Sequence, residues 1–361
     1  MLAAVYHGPG DLRIEERAIP PIAPGELLIG VDSASICATD IRILKGSHRK
    51  FPPGTVRIPG HEIVGTVIDT GGPLKFRFKP GQRVFIAPNI GCGTCSQCLR
   101  GKNNLCPDYQ AFGITMDGAF AQYMRVGRKA VEQGNVIPIP QDLDPAAASL
   151  AEPFSCVIHG QDAISVKPSD VVLVQGAGPI GLMHVMLAKR RGVEKILVSD
   201  VSPSRLAMAE ELGADRSINV SDVNLRDAVM AETSGFGVNA LIVATAAPGA
   251  IGQAIDVAAI GARINFFAGL PKERPYVELD ANAVHYRELI LTGTTGCSTS
   301  DCKVAADLVS SHEIDLSPLV SARFTLSDAP LAFDAAQDGS NFKVVIEPSR
   351  LSGRARGGDA A

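Results

Sequence analysis

The chain has 361 residues, of which 46% are apolar and 20% charged, and its formal net charge is −4. That length suggests two domains and a sizeable core, and the mildly acidic balance leaves no electrostatic footprint for nucleic acid or an anionic membrane surface. No apolar run reaches the roughly 18 residues of a transmembrane helix, and Met1–His7 lacks the basic start of a signal peptide before the chain turns polar at Asp11, so a reducing cytoplasm is the expected setting.

Residues 1–150 read as β-rich. The runs Glu26–Val31, Glu62–Ile68 and Arg83–Ala87 are apolar or alternating, and each follows a Pro-Gly turn at Pro24-Gly25, Pro59-Gly60 or Pro80-Gly81. Residues 88–110 show little apolar periodicity but hold four of the eight cysteines, so this stretch needs another source of order. From about residue 150 to 290 strands alternate with helices. Val171–Val174, Lys195–Val198, Ala240–Val243 and Ala262–Phe267 read as strands. Pro179–Arg191, Pro203–Leu212 with Ser202 as N-cap, and Gly249–Ala259 read as helices. Such alternation predicts an α/β, doubly wound parallel sheet. A helix near Cys302–Ser310 and a strand at Phe342–Ile346 follow, and the Gly-, Arg- and Ala-rich tail Leu351–Ala361 is expected to be disordered.

Within the alternating region, Gly176-Ala177-Gly178-Pro179-Ile180-Gly181 follows an apolar strand and opens a helix. Gly176 permits a tight turn, Gly178 lets the backbone approach a pyrophosphate at the helix N-terminus, and Gly181 lets helix and strand pack closely. The next strand ends in Asp200, 19 residues past Gly181. A carboxylate there accepts hydrogen bonds from the adenosine ribose and repels a 2′-phosphate, which favours NAD over NADP. Arg205 is placed to cover the adenine or ribose side.

The cysteines Cys92-x2-Cys95-x2-Cys98-x7-Cys106 supply four soft ligands, suited to structural zinc ahead of an iron–sulfur cluster. The run resembles a ferredoxin pattern as far as Cys106-Pro107, but its last gap is seven residues where that pattern has about three. All four positions of a tetrahedron are filled, so such a site is closed to substrate. Three scattered features offer an open one. Cys37 lies in Cys37-Ala38-Thr39-Asp40, His61-Glu62 follows Pro59-Gly60, and Glu152 lies in Ala151-Glu152-Pro153. One by one they have ordinary readings as a buried thiol, a core histidine and a helix-start carboxylate. Together they provide a thiolate, an imidazole and one or two carboxylates, the ligand set of a catalytic zinc with one position free. Such a zinc lowers the pKa of a bound alcohol, and the resulting alkoxide delivers hydride to nicotinamide. Asp40 would orient the outer nitrogen of His61, and Thr39 would pass the hydroxyl proton toward solvent.

These motifs, with Pro80-Gly81-Gln82-Arg83-Val84, resemble the zinc-dependent medium-chain dehydrogenase/reductase family over about residues 1–350. The resemblance implies a GroES-like catalytic domain at 1–153 and 296–361, with a Rossmann NAD-binding domain inserted at 154–295. It further implies two zincs per chain, one catalytic and one structural, with Cys37 and His61 as fixed catalytic ligands and Thr39 as the proton-relay hydroxyl. Glutamate at 152, together with Glu62, is similar to the sorbitol, L-iditol and xylitol dehydrogenase branch, in which either glutamate binds zinc directly or through water. The implied reaction is NAD-dependent oxidation of a secondary alcohol of a polyol, cyclitol or sugar alcohol to a ketone, in a homotetramer or homodimer joined along an edge strand at Glu288–Thr292.

The chain departs from sorbitol dehydrogenases at Ile41-Arg42-Ile43-Leu44, where they carry an aromatic residue and a histidine. It departs again at Thr294-Thr295-Gly296-Cys297-Ser298, where they carry an arginine. Threonine dehydrogenases usually have aspartate at position 152. A sugar-alcohol phosphate, threonine or a vicinal diol are therefore alternative substrates. Arg42, His48 and Arg49 could meet a phosphate or simply form a solvated basic loop. An iron–sulfur redox protein and a non-catalytic NAD-binding sensor are readings from other classes. Cys156, Cys297 and Cys302 read as small apolar residues.

Overall fold

The computed structural model describes residues 1–72, 77–271 and 274–349, so the tail expected to be disordered lies outside the described residues. The chain forms two compact units. The first comprises Met1–Glu152, Ser298–Ser310 and the chain from Asp315, and the second comprises Pro153–Cys297 and Ser311–Ile314. No helix among the described residues is long and apolar enough to cross a membrane.

The first unit is built on a seven-stranded sheet. Leu27–Ser35 lies at its centre, antiparallel to Glu62–Thr70, to Tyr123–Val126 and to Lys343–Glu347. Arg83–Ile86 and Val136–Pro138 extend one side. On the other side Val320–Thr325 runs parallel to Lys343–Glu347, with the helix Ala329–Gln337 as the crossover between them. Alternation in Leu27–Ser35 puts Leu27, Ile29 and Val31 into a core shared with Ile63, Val67, Phe120 and Phe333. Pairing of Ser35 with Glu62 on one side and Val345 on the other aligns three strand ends. Cys37, His61 and Lys343 all sit at that aligned end.

The second unit holds six parallel strands in the spatial order Arg216–Asn219, Lys195–Asp200, Val171–Gln175, Val238–Val243, Ala258–Phe266, Ile290–Gly293. Counted along the chain this order is 3-2-1-4-5-6, the Rossmann arrangement, whose order reverses beside Val171–Gln175. The central strands are almost continuously apolar because helices cover both faces.

Two expectations need correction here. The helix expected at Gly249–Ala259 is Pro248–Asp256, and the next strand starts at Ala258, not Ala262. The Val257-Ala258-Ala259-Ile260 run suits either a helical or a strand period, and pairing of Ala258 with Val238 decides for the strand. Ser202 does occupy the N-cap position of Pro203–Leu212, yet its side chain makes no capping bond. Its hydroxyl faces that of Ser204 at 3.1 Å.

Candidate active site

Cys37 lies two residues past the end of the central strand Leu27–Ser35 and stands at the N-cap of the short helix Ala38–Leu44. The Asp40 carboxylate accepts a hydrogen bond from the Cys37 N–H at 2.9 Å, which pins the thiol at the helix start. The other Asp40 oxygen lies 3.4 Å from Nδ1 of His61, both groups being buried. That pair attracts by charge but is not aligned as a hydrogen bond, and both atoms lack a hydrogen-bond partner. Burial lowers the His61 pKa, while Asp40 and Cys37 raise it more, leaving it well above its ordinary value. With Nδ1 turned to Asp40, Nε2 is the nitrogen left for a metal, whose binding requires the neutral ring.

Ligand atoms of Cys37, His61 and Glu62 all lie within 4.8 Å of one another. The set of one sulfur, one nitrogen and one oxygen fits zinc with a position to spare. Glu62 is itself held: Lys343 Nζ donates to its two oxygens at 2.8 and 2.6 Å, and the Ser35 hydroxyl also donates to it. Lys343 additionally donates to the Ile36 carbonyl at 2.9 Å. Burial pushes the lysine pKa down, but Glu62, Cys37 and Glu152 more than compensate, so it is raised. Glu152 is buried near the start of the helix Ala151–Ala163, and its carboxylate does not join Cys37, His61 and Glu62 within that 4.8 Å limit. Lys343 is the functional residue that sequence reasoning missed. Its one visible signal is a lone cation heading the apolar strand Val344-Val345-Ile346. Thr39 lies in the first turn of the Ala38–Leu44 helix, and its Oγ1 accepts a hydrogen bond from Arg42 Nη2 at 3.0 Å.

Cys92, Cys95, Cys98 and Cys106 form a second cluster within the same mutual limit of 4.8 Å. Cys92 and Cys98 sulfurs are 4.0 Å apart, and those of Cys95 and Cys106 are 3.8 Å apart. Tetrahedral zinc with bonds of about 2.3 Å separates its sulfurs by about 3.8 Å, so the cage fits. Backbone N–H groups of Thr94 and Cys95 donate to the Cys92 sulfur at 3.4 and 3.2 Å, and its pKa is lowered to about 6. Asn103 clasps this lobe to its surroundings. Its Nδ2 donates to the Asn89 carbonyl at 2.8 Å and its Oδ1 accepts from the Thr299 N–H at 2.9 Å, at the start of the helix Thr299–Ser310.

In the second unit the glycine turn stands where the sequence puts it. Gly176 has φ +98°, and a Cβ on Gly181 would lie 1.8 Å from the Gly176 carbonyl oxygen, so no larger residue fits. Gly178 caps the helix Pro179–Arg190, with Pro179 in its first turn followed by Ile180. Asp200 braces this turn: Oδ2 accepts from the Ala177 N–H at 2.7 Å, and Oδ1 from the N–H groups of Val201 and Ser202 at 2.8 and 2.9 Å. Arg205 lies half-buried in the first turn of Pro203–Leu212. A separate cavity of about 660 Å³ in the first unit, lined by residues including Arg17, Arg57, Phe112 and Met116, includes none of these groups.

Comparison with known proteins agrees with this architecture. Residues 23–141 match the model of the alcohol dehydrogenase GroES-like domain, and residues 179–311 that of the zinc-binding dehydrogenase. An L-threonine 3-dehydrogenase of Mesorhizobium japonicum is 34% identical over 339 residues, covering 92% of this chain and 94% of the relative. A zinc-binding dehydrogenase of Sinorhizobium meliloti, solved with NADP, is 30% identical with a TM-score of 0.89, over 96% of this chain and 99% of that one. An Escherichia coli alcohol dehydrogenase, solved with NADH, is 29% identical with a TM-score of 0.87 and the same coverage. Relatives that match nearly end to end, two matching domain models and a cysteine cage of zinc dimensions leave no place for the iron–sulfur reading. The chain belongs to the zinc-dependent medium-chain dehydrogenases, oxidoreductases that act on CH–OH donors.

Proposed function

We propose that the chain oxidises a secondary alcohol of a polyol-type substrate to the ketone, with NAD as hydride acceptor. The proposal also covers the residue roles and the division of labour. The unit around Leu27–Ser35 would be catalytic, and the Rossmann unit would bind NAD. The observation that carries this reading is the convergence of Cys37, His61 and Glu62 at one end of the central sheet, two residues from the Thr39 hydroxyl.

Cys37 and His61 would hold the catalytic zinc, with Glu62 or Glu152 completing its shell. When bound, zinc supplies the Lewis acidity that makes the alcohol easier to deprotonate, and NAD supplies the hydride acceptor. The chain's own work is positional. Asp40 keeps His61 oriented, Lys343 and Ser35 hold Glu62 in place, and Thr39 offers a hydroxyl for the leaving proton. Asp200 would accept hydrogen bonds from the ribose while bracing the turn, and Arg205 would lie alongside. The negative charge of Asp200 opposes a 2′-phosphate, which supports NAD over NADP.

A second reading, L-threonine as substrate, is favoured by the 34% identical relative of that name. Apolar side chains left exposed near the edge strand support a homo-oligomer, and the reduced cysteine sets suit a cytoplasmic setting.

The test is a panel of polyols, cyclitols and L-threonine with NAD and NADP, before and after chelation, on wild type and Cys37→Ser. We expect two zincs per wild-type chain, one in Cys37→Ser, and a loss of activity of at least about 100-fold in the variant. Full activity of a folded Cys37→Ser chain that keeps its lobe zinc would overturn the mechanism. Turnover of L-threonine alone would sink the polyol reading.

A further inference from the structure

Between Asp40 and Glu62 the chain carries five cations, Arg42, Lys45, Arg49, Lys50 and Arg57, and no carboxylate, although the whole protein is net negative. Arg57 is committed to structure. It donates to the carbonyls of Lys50 and Ile114 and lies 4.9 Å over the Phe51 ring. The others are different: among the described residues, Arg42, Lys45, Arg49 and Lys50 form no ion pair.

Arg42 is the one that reaches the chemistry. Its Nη2 donates to Thr39 Oγ1 at 3.0 Å, two residues from Cys37, and the rest of the guanidinium stays exposed. The Arg42 carbonyl also accepts from the Ser47 N–H at 2.9 Å, which turns the chain back so that His48 and Arg49 follow beside it. The electrostatics of the loop follow from that geometry. Burial, then Arg42, His61 and Arg49, push the His48 pKa down to about 4. His48 is thus neutral at pH 7, and its Nδ1 accepts from the Lys50 N–H at 3.3 Å, leaving Nε2–H as a further donor. An arginine on Thr39 has a second consequence. A guanidinium cannot accept a proton at working pH, so Thr39 cannot hand one on to Arg42. What Arg42 supplies there is a fixed positive charge with a planar fork of donors.

We propose that the substrate bears an anionic group, a phosphate monoester or a carboxylate, close to the hydroxyl that is oxidised, and that Arg42 receives it. This rests on the alcohol-oxidising reading above and narrows its substrate class. Arginine is suited to the task because its fork matches either anion bidentately. Both candidate anions share this recognition chemistry, and the experiment separates them.

Four substrates are compared with NAD: a neutral polyol, its phosphate monoester, its aldonate and L-threonine. Wild type should prefer one anionic form over the neutral polyol by about 10–100-fold in kcat/KM, mostly through KM. The phosphate and carboxylate arms show which anion is read. In Arg42→Gln that preference should fall toward parity, and Arg42→Lys should restore part of it. Independently of turnover, calorimetric binding of inorganic phosphate and of a non-reacting carboxylate to the zinc-loaded protein should weaken in Arg42→Gln and with rising salt. An unchanged preference and unchanged anion binding in Arg42→Gln would show a solvated basic loop and overturn the proposal. A raised KM for NAD in place of the substrate would overturn it too, by assigning Arg42 to the cofactor. If wild type oxidises none of the four, the alcohol-oxidising reading fails, while the calorimetric arm still decides whether Arg42 forms an anion site.

Discussion

At the scale of single residues, two buried ionisable groups repay attention. Lys343 and Glu62 are 5% and 0% exposed and satisfy one another, with Ser35 and the Ile36 carbonyl taking the remaining contacts. Removing one member of such a pair strands the other's charge in the interior. Lys343→Met should therefore destabilise the protein by about 3–5 kcal/mol in urea unfolding, and Lys343→Met with Glu62→Gln by clearly less. Equal losses in the single and double variants would mean that the pair is not coupled.

His184 stands in the second unit, fully buried on the Pro179–Arg190 helix, edge-on to Phe267 with ring centroids 4.8 Å apart. Burial, then Arg191, lowers its pKa to about 3. A folded pKa below the unfolded value of about 6.5 means that the neutral ring's contribution is fully present above pH 6.5 and is lost as pH falls toward 3. The loss is on the order of 5 kcal/mol at the acid end, and the acid limb of a stability–pH curve should flatten in His184→Gln. An unaltered limb would assign acid sensitivity to other groups.

At the scale of elements, the four-cysteine lobe and the glycine turn solve opposite problems. The lobe has few apolar side chains to bury, so a metal must replace a core. Its clasp, Asn103, carries that order to the first residue of the Thr299–Ser310 helix. Cys95→Ser should cost one zinc per chain and speed amide exchange across 92–106 and at the start of that helix, leaving the central sheet protected. Exchange confined to the lobe would show that Asn103 does not transmit the change. The glycine turn needs no metal. Close approach of Gly181 to Gly176, braced by Asp200, fixes a turn that would leave the backbone open to a phosphate group.

At the scale of the whole molecule, the central strands of the second unit are covered, but among the described residues its edge strand Ile290–Gly293 pairs on one side only. Ile290, its first residue, is 55% exposed, Ile260 of the neighbouring strand Ala258–Phe266 is 80% exposed, and Tyr286, four residues before the edge strand, is 78% exposed. An unpaired strand edge flanked by large apolar side chains is a template for a second copy. Ile290→Lys should shift the assembly measured by light scattering toward smaller species. A wild-type chain that is monomeric at micromolar concentration would remove the basis for this expectation.

Much of this molecule is legible from the chain alone, wherever local chemistry is decisive. Only glycine survives at 176 and 181, and only a metal explains four cysteines in a segment without a core. The βα alternation likewise announces a parallel sheet, because buried strands and amphipathic helices have different apolar periods. What the chain could not show is whatever depends on register. Cys37, His61 and Lys343 are far apart in sequence, and they meet because Ser35 pairs with both Glu62 and Val345. Lys343 looks like an ordinary strand-end lysine until that pairing buries it on Glu62. The chain alone suggests a ribose-accepting role for Asp200, whereas its bracing of Ala177 requires the two strands to lie side by side. Motif residues carry their meaning in their own backbone geometry and ligand chemistry, and partners acquire theirs only when tertiary pairing removes them from water.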